Sequence, residues 1–135
     1  DKQGNLKQAT HHPNLVVTVG KNYIASRMAA GTTTIMSHMA IGTGTGTPAA
    51  GDQGLGTEAY RQALTSFTAT NNTVTATATF AAGNGTGAIT EAGIFNNSTG
   101  GDGSLTKAML CRTTFPVVNK AAGDSIAITW VITVS

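Results

Sequence analysis

Residues 125–134 read SIAITWVITV, and residues 73–80 read TVTATATF. In the first stretch Ile126, Ile128, Trp130, Ile132 and Val134 fall on one face. In the second, Val74, Ala76, Ala78 and Phe80 share a face, and Thr73, Thr75, Thr77 and Thr79 share the other. Successive side chains of a strand point to opposite faces, so a period of two predicts a strand with one buried side. The inward positions of 73–80 are mostly alanine, which leaves room for bulky partners such as Trp130 or Phe95. The predicted core is therefore Val74, Phe80, Phe95, Ile126, Ile128, Trp130 and Ile132. The opposite face of 73–80 is threonine without charge, too mild for a guarded, solvated surface. Thr75 and Thr77 are accordingly expected to touch another subunit.

Outward from these strands, the chain reads as more sheet. Residues 14–19 (NLVVTV) predict a strand broken by Gly20. Residues 21–30 predict a short helix, with Ile24 and Met28 four apart, Tyr23 and Arg27 likewise, and Gly31 as its C-terminal cap. A helix of two to three turns needs the sheet for support. Residues 35–41 predict a strand, and 61–69 alternate loosely. Asn71 and Asn72 mark a turn, and 81–87 a loop with Asn84 and Gly85 at its tip. Residues 88–96 predict a strand in which Gly93 signals a bulge or a close backbone approach. A loop over 97–104 follows, then a strand over 105–115 stopped by Pro116, and a turn at 119–124. The whole is mainly β: an antiparallel sandwich or small barrel of about seven strands with one short N-terminal helix. Residues 1–13 are expected to form an N-terminal arm able to order on a neighbour, and 14–135 a single β-domain.

Composition narrows the function classes. The chain has 135 residues, a net charge of +2 and only 10% charged side chains. Its cations, Lys2, Lys7, Lys21, Arg27, Arg61, Lys107, Arg112 and Lys120, are scattered rather than clustered, so no nucleic-acid partner is expected. No apolar run has the length of a membrane span, and no signal-peptide pattern is visible. Cys111 is the single cysteine, so no intrachain disulfide can form. It reads as a small core residue rather than a nucleophile.

The motifs carry little chemistry. GTGTGT at residues 42–47 has the spacing G-x-G-x-G, not the G-x-G-x-x-G of a dinucleotide site, and Pro48 follows instead of a helix. A P-loop needs G-K-[ST], and Asn22 follows Gly20 and Lys21. The glycine-rich stretch 42–58 instead reads as a long loop, ordered or mobile, that reaches a neighbour. Thr43, Thr45, Thr47 and Pro48 are its candidate partner contacts. His11 and His12 point to opposite faces if extended, and a metal would need His38 or a carboxylate brought in by the fold. His38 itself reads as a strand-surface residue. Of the acids Asp1, Asp52, Glu58, Glu91, Asp102 and Asp124, no pair has spacing suited to acid–base work. Glu91 stands out in an apolar strand: it either faces solvent by alternation or pairs with a base such as Arg112. No catalytic residue, metal or cofactor is expected.

Several segments together, NLVVTVGKNYIASRM, MSHMAIGTGTGTPAAGDQGLGTE, ITEAGIFN and MLCRTTFPVVNKAAGDSIAITWVITVS, resemble a family of small virion structural proteins of tailed bacteriophages. The resemblance spans about residues 14–135, and ITEAGIFN is similar to a sheet edge of tail-fibre and baseplate adaptor domains. The Gly- and Ser-rich insertion at 97–104 departs from that pattern. The resemblance implies a structural role in the virion, assembled in the host cytoplasm as a homo-oligomer on capsid or tail proteins. A capsid decoration or cement protein, clamping the shell through loops and arm, is the first expectation. A tail, collar or fibre-adaptor component is the alternative. A carbohydrate-binding host-recognition module ranks below both, because aromatics are only 5% of the chain.

Overall fold

A computed structural model of the chain describes residues 12–31 and 33–135. Most of the expected N-terminal arm, residues 1–11, lies outside the described residues. The fold is mainly β. Its elements in chain order are β1 (Leu15–Val16), α1 (Thr18–Ala29), β2 (His38–Gly42), β3 (Glu58–Ala63), β4 (Ser66–Thr70), β5 (Thr73–Phe80), β6 (Gly87–Phe95), β7 (Met109–Lys120) and β8 (Ile126–Thr133). They form a five-stranded sheet in the order β1-β7-β6-β2-β3 and a three-stranded sheet in the order β4-β5-β8. Every pairing is antiparallel.

One hydrophobic core takes side chains from both sheets. Met39, Ile41, Ile94, Phe95 and Met109 come from the larger sheet, and Ala76, Ala78, Phe80 and Trp130 from the smaller. Ala76 stands directly opposite Trp130 in the β5–β8 register, so the small residue makes space for the indole. Ile126, Ile128 and Ile132 are half-buried and pack against this core. Val74, at the turn end of β5, is only half-buried, and Val134 is exposed beyond the last paired residue of β8.

Four local expectations give way to tertiary packing. The strand over 14–19 shrinks to β1, and the helix begins at Thr18 rather than after Gly20. Gly20 lies in the first helical turn because the helix backbone presses onto β7 there; a Cβ would collide with the Leu110 carbonyl. The helix therefore docks through Val19, Gly20 and Tyr23, and leaves Ile24 and Met28 exposed. Its end is as expected: Gly31 adopts φ 64° beyond the last turn, a conformation that favours glycine. The strand over 35–41 starts only at His38, with Ile35 in solvent.

The loose alternation over 61–69 is two strands, β3 and β4, which belong to different sheets. This raises the strand number to eight. Pro116 does not stop β7, which continues to Lys120. The β6–β7 register shifts between Ile89, opposite Val118, and Glu91, opposite Thr114. Pro116 therefore sits in a bulge, where the missing N–H breaks no regular ladder bond.

Candidate functional site

Glu91 organises the loop that joins β2 to β3. Its side chain is fully buried on β6. A buried carboxylate needs compensating partners, and Glu91 has five donors around its two oxygens. Oε2 accepts from the backbone N–H groups of Gly44 at 2.7 Å and Thr57 at 2.8 Å. Oε1 accepts from Gly56 N–H at 2.8 Å and from Arg112 Nε and Nη2 at 3.1 and 2.9 Å. Burial alone would raise the Glu91 pKa, but the hydrogen bonds from Thr57, Gly56, Arg112 and Gly44 outweigh it and hold the carboxyl below the usual range.

Arg112 extends the network into the middle of the loop. Nη1 donates to Asp52 Oδ2 at 3.0 Å, and Nη2 to Gly46 O at 2.9 Å. Asp52 closes a short turn, accepting from Ala49 N–H at 2.9 Å. Thr90 Oγ1 donates to Gly44 O at 2.7 Å, and Thr18 N–H to Ala50 O at 2.8 Å. The loop is thus bound to β6, β7 and the start of α1. Leu55 covers Gly93, where a Cβ would approach Leu55 Cδ2 to 3.0 Å. Gly93 is a close-approach glycine, one of the two readings the sequence offered.

The GTGTGT repeat now has a physical meaning. Gly44 must be glycine because a Cβ there would meet Glu91 Cδ at 2.8 Å. The threonines face the other way: Thr45 and Thr47 are exposed, while Thr43 and Pro48 are half-buried. All four residues proposed as loop contacts therefore sit on one ordered loop. Thr75 and Thr77 lie elsewhere, on the outward face of the smaller sheet, where Thr77 Oγ1 is 2.6 Å from Ser66 Oγ. The structure does not bring the two groups into one site.

A second clamp escaped the sequence reading. Arg61 pairs with Glu58 at 2.6 Å, donates to Asn97 O and Gly100 O at 3.1 Å each, and lies 3.7 Å over the Phe95 ring. It ties the 97–104 insertion to β3. Asp52 was likewise not singled out as an Arg112 partner. Glu58 and Arg61 are only three residues apart, but no local spacing signals the bonds of Arg61 to Asn97 and Gly100 or of Arg112 to Asp52, which join residues far apart in sequence. Lys120 is buried and donates to Ala81 O at 2.8 Å and Asp124 O at 2.7 Å, linking two turns.

The remaining candidates have no common centre. His12 packs its ring on Phe115, 5.8 Å between centroids, whereas His38 Nδ1 lies 2.8 Å from Ser37 Oγ on β2. Burial and the nearby Arg61 charge lower the His38 pKa. His11 lies outside the described residues. Among the described residues, no group of three His, Cys, Asp or Glu side chains could hold a metal ion. Cys111 is buried, and burial pushes its thiol pKa well up. Among the described residues no exposed aromatic offers a stacking platform for sugar rings: Tyr23 is buried with its hydroxyl donating to Thr34 O at 2.6 Å, and Tyr60 is half-buried, edge-on to Phe80. No helix among the described residues is long and apolar enough to cross a membrane.

Two antiparallel, charge-poor sheets with a glycine-rich loop clamped by the buried Glu91–Arg112 pair define a protein of the mainly β class. The family described as phage tail-collar fibre protein, N-terminal, matches residues 9–135, and the chain belongs to it. No curated protein matches the chain. The family is one of phage tail structural proteins, which agrees with the tail alternative and lends nothing to capsid decoration.

Proposed function

We propose that this chain is a docking module of a phage tail, which attaches fibre to neighbouring tail proteins through the Glu91-clamped loop. The observation that carries this reading is the rigid presentation of Thr45 and Thr47: exposed threonines on a loop whose backbone is bonded to a buried carboxylate. A preformed loop avoids the ordering entropy that a mobile one loses on binding. Thr43 and Pro48, half-buried beside them, complete the surface. The outward threonine face of β5, with Thr75 and Thr77, supports a second contact, to another subunit of a homo-oligomer.

Two measurements test the reading. Immunogold labelling of intact virions with antibody to this chain should decorate the tail; label confined to the capsid would favour the decoration reading instead. Thr45→Asp with Thr47→Asp should keep the wild-type circular dichroism spectrum and lose incorporation into particles. Normal incorporation of that folded variant would remove the loop from the docking surface.

A further inference from the structure

The turn between β5 and β6 holds the single Asn–Gly pair of the chain, Asn84-Gly85. Asparagine is a chemically labile residue. Its carboxamide is lost when the backbone nitrogen of the next residue attacks the side-chain Cγ, and a Cβ on that next residue hinders the approach. Glycine has no Cβ and reaches backbone conformations closed to other residues. Gly83 and Gly85, on either side of Asn84, have φ of 85° and 71°. Every other asparagine is followed by a residue that carries a Cβ.

Attack also needs both reacting groups to be free. Asn84 N–H closes a turn on Ala81 O at 3.0 Å, but the Asn84 carboxamide and the Gly85 N–H enter no hydrogen bond among the described residues. Other asparagines are tied. Asn96 Nδ2 donates to Leu105 O at 2.8 Å while its Oδ1 accepts from Ala108 N–H at 2.9 Å. Asn97 Oδ1 accepts from Thr99 N–H at 2.9 Å, and Asn72 Nδ2 donates to Val134 O at 3.1 Å. Asn22 lies inside α1 and Asn119 inside β7, where regular structure fixes the residue that follows. Asp102 also precedes a glycine, but its Oδ1 accepts from Ser104 N–H and hydroxyl at 3.0 and 2.6 Å. Those bonds hold its carboxyl below the usual pKa range, so it stays an ionised, poor electrophile.

We propose that Asn84 is a modification site, deamidated in the folded chain through a succinimide closed by the Gly85 nitrogen. The bond from Gly85 N to Asn84 Cγ forms, the Cγ–Nδ2 bond breaks, and the leaving nitrogen takes the Gly85 proton and departs as ammonia. Water then opens the ring. Attack at Cγ gives aspartate, and attack at the main-chain carbonyl gives isoaspartate. The new carboxylic acid passes its proton to ammonia, so an amide and a water become a carboxylate and ammonium. Either product places a negative charge in the turn. Isoaspartate also lengthens the main chain by one carbon, and Gly85 has no room to take this up. It is buried, and a Cβ there would lie 2.6 Å from Ile41 Cδ1 on β2 and 3.2 Å from Tyr60 Cβ on β3. The isoaspartate turn must therefore lift from the larger sheet, whereas the aspartate turn keeps its length. The inference is independent of the docking role of the Glu91-clamped loop.

The test incubates the full chain in native buffer at mildly alkaline pH and maps its peptides by tandem mass spectrometry over weeks. The mass of an asparagine-to-aspartate exchange should appear at residue 84 about tenfold faster than at any other asparagine. An isoaspartyl methyltransferase supplied with S-adenosylmethionine should label the aged wild type. Asn84→Gln, whose side chain closes only a larger and slower-forming ring, should keep the wild-type circular dichroism spectrum and lose the label. Exchange at residue 84 no faster than at Asn96 or Asn97, exchange at residue 84 only after urea is added, or equal labelling of wild type and folded Asn84→Gln would each overturn the inference. The wild-type peptide map decides alone if Asn84→Gln fails to fold.

Discussion

Arg112 Nη2 lies 2.9 Å from Glu91 Oε1, with the two side chains 4% and 0% exposed. The pair bridges β7 and β6, and its remaining bonds all go to the loop between β2 and β3. Taking two charges out of water is costly, so such a pair is weak evidence for stability in itself. Its value here is geometric: a carboxylate surrounded by Gly44, Gly56 and Thr57 N–H groups accepts only one loop conformation. Removing the charge replaces one of the two acceptor oxygens by a donor and leaves five N–H donors facing a single neutral acceptor.

Glu91→Gln should destabilise the fold by about 3 kcal/mol, the lower end for breaking a buried pair. For a domain of this size that is roughly a 10 °C fall in Tm. Amide exchange should rise first in residues 43–57, because the loop has lost its anchor while the sheets persist. Glu91→Gln melting with the wild type would refute the clamp.

Acid should release the same clamp. The Glu91 pKa is lowered in the folded chain from its ordinary 4.5. A depressed carboxyl stabilises the fold fully above its unfolded value and loses that contribution as pH falls through the folded one. The difference in Tm between wild type and Glu91→Gln should therefore be greatest above about pH 5 and shrink as pH drops below about 4. A difference that stays constant from pH 7 to pH 3 would contradict this linkage.

The loop glycines are not equivalent. A Cβ at Gly44 would crowd Glu91 Cδ at 2.8 Å, whereas one at Gly46 meets nothing within 4 Å. Gly44→Ala should cost about 1–3 kcal/mol, as overpacking does. Gly46→Ala should stay within about 0.5 kcal/mol of the wild type. Urea melts of the two variants check the contrast, and equal midpoints would show that the loop yields at Gly44.

Arg61 holds the 97–104 insertion by a planar fork that lysine cannot copy. Arg61→Lys would keep a charge near Glu58 but lose the simultaneous bonds to Asn97 O and Gly100 O. Amide exchange of residues 97–104 should speed up about tenfold, with the loop 43–57 unchanged, since the loss of one charge-assisted bond is worth about 1.5 kcal/mol. Unchanged exchange across 97–104 would show that the insertion is ordered without Arg61.

Periodicity made β5 and β8 legible, because each has one face on the core and alternation records that directly. Glu91 was legible as an anomaly, a charge in an apolar strand, with Arg112 as one of two readings. What stayed hidden depends on distant chain. The helix start is set by the contact of Gly20 with β7, which outweighs its local role as a breaker. Pro116 is accommodated by a register shift that only the β6–β7 pairing reveals. The split of residues 61–69 into β3 and β4 reflects a change of sheet, and the two strands share no alternation to betray it. Asp52 and Arg61 act through partners 60 and 36 residues away, beyond any local spacing rule.

Cys111 offers a readout for the opening of β7. It is fully buried next to Arg112, and burial holds its thiol pKa well above the ordinary value, so almost no thiolate exists in the folded chain at neutral pH. A thiol reagent at pH 8 should label the wild type only as fast as the fold opens. Glu91→Gln weakens the strand pair that covers Cys111. If opening is fast relative to labelling, a loss of about 3 kcal/mol should raise the rate on the order of a hundredfold when that opening is global. Rapid labelling of the native wild type would mean that the thiol is accessible from the folded state. Equal slow rates in both proteins would mean that β7 opens without breaking the Glu91–Arg112 pair.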